Sequence, residues 1–112
     1  GATIGHCCVV HGAHIGAEAL IANHCTILDG AVVAARSLVA AHSLVVGGTQ
    51  IPAEVLVTGA PAKVKGPIAG TGAELWVNAN PSAYRELARR YRTGLSPAGE
   101  AANLSAPTTH IE

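Results

Sequence analysis

The chain has 112 residues and no net charge, which bounds it to one small domain and gives it no global field to recruit nucleic acid or an acidic membrane surface. Hydrophobic residues make up 49% but aromatics only 3%, with no Phe, so the core must be narrow and lined by Val, Ile, Leu and Ala. No signal peptide or membrane span is visible, and three cysteines without scaffold spacing point to a reducing, cytoplasmic setting. The chain lacks Met throughout and opens in mid-pattern, which reads as an N-terminally truncated piece.

Counting in sixes from Val9 gives Ile15, Ile21, Ile27, Val33, Val39, Val45, Ile51 and Val57, every one Val or Ile. Two residues before each stands a nearly always small residue, from Cys7, Ala13, Ala19 and Cys25 to Ser37, Ser43 and Thr49. A period of six excludes an amphipathic helix, whose apolar face recurs at three and four. It fits a short strand with two inward residues two apart, followed by a turn and repeated without interruption, so each rung buries its neighbours' faces. This pattern resembles the hexapeptide-repeat proteins. The resemblance implies a mainly β fold: a left-handed parallel β-helix of about three coils, three hexapeptides or 18 residues to a coil, followed by a C-terminal α-helix.

The repeat breaks at "VTGAPAKV", where Pro61, Lys63 and, one residue past it, Lys65 interrupt the pattern, so the β-helix is assigned to 1–64. Residues 65–94 form a C-terminal helical segment. In it Thr71 and Glu74 have capping-box spacing ahead of an apolar run with Trp76. Asn80 and Pro81 are expected as N-cap and first helical residue of a helix closed by Gly94. Tyr84, Leu87, Ala88 and Tyr91 would be its apolar stripe, and Glu86 is spaced to pair with Arg89 or Arg90. Residues 95–112, rich in Ser, Pro, Ala and Thr, read as a disordered tail.

Chemistry-bearing residues concentrate in "IGHCCVVHG", residues 4–12. With "ILDGAVV", the exit "GAPAKV" and "AYRELARRY", whose tyrosine follows Trp76 by eight residues, this stretch resembles the γ-class carbonic anhydrase family. The resemblance implies that His6 and His11 are metal ligands for Zn2+, with Co2+ or Fe2+ also suitable. It implies a homotrimer with the metal site at the subunit interface, and hydration of carbon dioxide to bicarbonate by metal-bound hydroxide. The family's third histidine and its arginine–aspartate pair would lie before position 1, leaving the site incomplete in this chain. No other catalytic residue is assigned.

Two other functions fit the same prism: an acyl-CoA-dependent acyltransferase using a general-base histidine, and an inactive structural or assembly subunit. His24 and His42 follow His6 by one and two coil lengths and are expected to stack with it as turn residues. Cys7 and Cys25 are expected inside the prism as thiols, Cys8 near the histidines, and His14 and His110 exposed. Neither a nucleic-acid nor a membrane partner is expected, because the arginines of 85–92 have no aromatic interleaving on their face.

Overall fold

A computed structural model describes residues 1–95; the predicted tail, apart from Leu95, and His110 lie outside the described residues. Nine two-residue strands run in series: β1 Thr3–Ile4, β2 Val9–Val10, β3 His14–Ile15, β4 Leu20–Ile21, β5 Thr26–Ile27, β6 Val32–Val33, β7 Leu38–Val39, β8 Leu44–Val45 and β9 Gln50–Ile51. A hairpin follows, β10 Val55–Gly59 and β11 Ala62–Pro67, and then one helix, α1 Gly72–Gly94. Every third strand pairs in parallel, giving three faces: β1-β4-β7-β10-β11, β2-β5-β8 and β3-β6-β9. The architecture is the expected left-handed parallel β-helix of three coils with a C-terminal helix.

The interior is one column of small and branched residues. Ile21, Ile27, Val33, Val39, Val45, Ile51 and Val57 are all buried, with Ala19, Cys25 and Ala31 between them. Ser37 and Ser43 are buried as well, and each hydroxyl is bonded: Ser37 donates to the Ala34 carbonyl at 2.7 Å, and Ser43 accepts the Gly59 N–H at 3.2 Å.

The first coil departs from the hexad. Val10 pairs with Ile27 whereas Ile15 pairs with Val33, a step of 17 residues in one and 18 in the other. The inward residue of β2 is therefore Val10, which packs against the core, while Val9 is 54% exposed on the outer face. The slip carries its neighbours along. Cys8, not Cys7, lies beside Cys25 inside; their thiols donate to the Ala22 and Ala40 carbonyls, each at 3.0 Å. Burial pushes the Cys25 thiol up and keeps it protonated. Cys7 is exposed.

Two of the three edges are turned by non-glycine residues with positive φ: Glu18, Arg36 and Glu54 at one, Cys7, His24 and His42 at another. Side chains at such φ are strained. What holds them is the coil beneath, because the N–H groups of Arg36, His42 and Glu54 donate to Ala17, Asn23 and Ala35 at 2.9–3.1 Å. At the first edge the side chains form a ladder across all three coils. Arg36 donates to Glu18 at 2.9 Å and to Glu54 at 3.1 Å, and its third contact is Asn78 of α1 at 2.7 Å.

The face β1-β4-β7 is apolar on its outside too. Leu20 and Leu38 are buried there against Ile68 and Val77, with Leu56 and Ala73 alongside. This outer leucine column seats α1. Helix α1 is continuous through Pro81, so Asn80 and Pro81 do not start it. Proline inside a helix removes a hydrogen bond; burial of Pro81 and of Val77, one turn earlier, against the prism offsets that loss. These two residues, rather than the expected Tyr84–Tyr91 stripe, make the buried contact, and Tyr84 and Ala88 are exposed. Thr71 is the N-cap but its hydroxyl bonds back to Ile68, and Glu74 accepts the N–H of Gly70, one residue before the cap, at 2.7 Å, so the expected capping box does not form. Glu86 pairs with Arg89 at 2.7 Å, as its spacing predicts. No helix among the described residues is long and apolar enough to cross a membrane.

The slip is testable by denaturant unfolding. Ile27→Ala should cost about 3 kcal/mol as a buried large-to-small change, whereas Val9→Ser should stay within about 0.5 kcal/mol although both positions belong to the same six-residue count. Equal losses would restore Val9 to the core. Arg36→Ala should lower the melting temperature by a few degrees at low salt and by less at high salt, since the ladder is partly exposed.

Candidate active site

The shortened first coil brings His11 to Asp29. Between β2 and β3 lie only His11, Gly12 and Ala13, against four residues, Leu28 to Ala31, between β5 and β6. The missing residue draws this corner in over the coil above, and His11 Nδ1 donates to Asp29 Oδ1. Gly12 makes the approach possible. It has φ +61, and a Cβ there would lie 2.8 Å from the Asp29 carboxylate oxygen.

Asp29 raises the His11 pKa above its ordinary 6.5, first through the hydrogen bond and then through its charge. Both side chains stay open to solvent, at 75% and 70% exposure. With Nδ1 committed to the carboxylate, Nε2 is the free ring nitrogen, and it has no partner among the described residues. A histidine held in one tautomer by a carboxylate, its other nitrogen facing outward, is equipped to take a proton from a bound nucleophile. Outward apolar residues flank this corner: Val9, Leu28 and Val46 are all exposed.

His6 stands at a different edge of the prism from His11. Its backbone N–H donates to Asn23 Oδ1 at 2.8 Å and its ring is exposed. The 17-residue step removes His6 from the column of His24 and His42. Those two rings do stack, with centroids 4.8 Å apart and planes within 7°, and Cys7 takes the corresponding place in the first coil. His14 is exposed, as expected. Asp29 carries no role in the sequence reading, yet a signal was available: it follows His11 by one 18-residue coil.

Beside α1 lies a groove of about 400 Å³, lined by Asn23, Ala22 and Ala40 of the prism and by Trp76, Asn80 and Tyr84 of the helix.

Similarity to solved structures follows this geometry. A hexapeptide transferase family protein from Anaplasma phagocytophilum matches with a TM-score of 0.75 at 30% identity, over 80% of this chain and 54% of its own. A putative acetyltransferase from Bacillus cereus matches with a TM-score of 0.78 at 33% identity, over 82% and 53%. A mutant of GDP-perosamine N-acetyltransferase from Caulobacter crescentus, solved with CoA and GDP-perosamine, matches with a TM-score of 0.53 at 30% identity, over 56% and 30%. No protein-family model and no curated protein matches. The fold is that of the hexapeptide-repeat left-handed β-helix superfamily, and the chain spans about half the length of the first two proteins.

These findings correct the carbonic anhydrase reading and its zinc cofactor. The similar structures are named as transferases, one of them solved with CoA. Among the described residues no three His, Cys, Asp or Glu side chains converge to hold a metal ion. Within this chain His6 and His11 stand at different edges of the prism, and His11 Nδ1 is hydrogen-bonded to Asp29.

The dyad can be checked without any substrate. The His11 ring, followed by NMR, should titrate above 6.5 in the wild type and fall towards 6.5 in Asp29→Asn. Gly12→Ala should give the same fall by pushing the carboxylate away. An unshifted His11 in the wild type would dissolve the dyad.

Proposed function

We propose that this chain carries the base of an acyl-CoA-dependent acyltransferase. The observation that carries the reading is the His11–Asp29 pair, a general-base arrangement on a prism whose similar structures are named as a hexapeptide transferase family protein, a putative acetyltransferase and an N-acetyltransferase. His11 Nε2 takes the proton from an acceptor hydroxyl or amine as that oxygen or nitrogen attacks the thioester carbonyl. The new C–O or C–N bond forms, the C–S bond breaks, and the proton passes to the departing CoA sulfur. Asp29 fixes the tautomer and stabilises the imidazolium formed between these steps.

Copies of the chain assemble as a homotrimer in this reading, with the exposed Val9, Leu28 and Val46 as part of the contact, so that the dyad lies at the rim between prisms. The free thiols accord with a reducing cytoplasm, where acyl-CoA is available.

Acetyl-CoA should raise the melting temperature, and transfer to a panel of hydroxyl and amine acceptors should release CoA thiol. His11→Ala should lose about 10²–10⁴-fold in kcat with folding intact. The working form of His11 is neutral, and Asp29 raises its pKa, so activity should climb with pH through a midpoint above 6.5. Asp29→Asn should move that midpoint to lower pH while lowering the plateau. A folded protein with neither thermal protection nor CoA release sinks the proposal and leaves a structural subunit.

A further inference from the structure

We propose that the groove beside α1 is a binding site for a neutral sugar, and this stands whether or not the chain transfers acyl groups. Trp76, Asn80 and Tyr84 are spaced by four, which places them along one side of the helix. The rise of a helix sets the two aromatic residues about 12 Å apart. That is too far to clamp one flat ring between them, and it suits a ligand with two rings in a row.

The rings are held out rather than packed away: Trp76 is 63% exposed and Tyr84 44%. Opposite them the prism supplies a shallow floor, because its outward positions there are Ala22 and Ala40. The volume of about 400 Å³ falls within the range of small-molecule sites.

The polar side chains are few and uncharged: the carboxamides of Asn23 and Asn80, the Thr3 hydroxyl and the Tyr84 phenol. Asn23 Oδ1 is taken by the His6 N–H, which leaves its amide N–H₂ as a donor. Asn80, half-buried, has no side-chain partner among the described residues, so its carboxamide can both donate and accept. No charged side chain lines the groove. Phosphates therefore find no counter-charge there.

A pyranose matches this set. Its C–H face is apolar and flat enough to lie on an indole or phenol ring, and its hydroxyls each donate and accept, as carboxamides require. Two such rings, as in a neutral disaccharide, span the distance from Trp76 to Tyr84.

Trp76 is the only tryptophan in the chain, so its fluorescence reports this groove alone. The full chain is titrated with cellobiose, maltose and methyl glucosides, and in parallel with glucose 6-phosphate and adenosine. A saturable change with a neutral sugar is expected near a Kd of about 1 mM, the disaccharides binding more tightly than the monosaccharides. Asn80→Ala and Tyr84→Ala should each weaken it at least about tenfold, with circular dichroism unchanged because neither side chain is fully buried. No saturation by any neutral sugar at about 50 mM overturns the proposal. So does saturation by adenosine alone, tighter binding of glucose 6-phosphate, or a response that Asn80→Ala leaves intact.

Discussion

Everything in this molecule hangs on hydrogen bonds between one coil and the next. Strands β1 to β9 have only two residues each, too few to specify a sheet by side-chain pairing within a strand. Stability and position both come from stacking, where the residue one coil away supplies the partner for each backbone group. The same bonds hold Arg36, His42 and Glu54 in a backbone conformation that side chains disfavour. Edges thereby become columns, and a column sets the chemistry of its members: ionic at Glu18, Arg36 and Glu54, stacked at His24 and His42.

The candidate site arises where that regularity is broken once. Removing one residue from the corner after β2 brings His11 against a carboxylate of the neighbouring coil. Elsewhere at this edge the chain has room for a full turn and no imidazole. A repetitive scaffold thus acquires a reactive pair by a change in loop length and not by a new element. The helix makes a second local difference, since it covers the outer leucines of one face and leaves a groove beside them.

The fold was legible because Ile15 to Val57 keep the six-residue period without a miss. The first coil was not. Val9 and Val10 are both valine, so a count of six runs through the slip unnoticed, and the error then misplaces Cys7 and His6. Pro81 reads as a helix start on local preference, yet burial of Val77 and Pro81 on the prism overrides that preference. At the site, His11 stood out by its motif, whereas Asp29 needed the coil length applied to it. The motif also suggested a metal, whereas the similar structures are named as transferases.

The ladder of Glu18, Arg36 and Glu54 has one more property. Its charges alternate along the stack, minus, plus, minus, and each is locked to a single coil. Skipping a coil in the stack still sets Val or Ile against Val or Ile along the inner column. It does not preserve the alternation, because glutamate then meets glutamate, or Arg36 loses a partner. The edge therefore acts as a parity check on assembly: it penalises misaligned stacks that the hydrophobic interior cannot tell from the correct one.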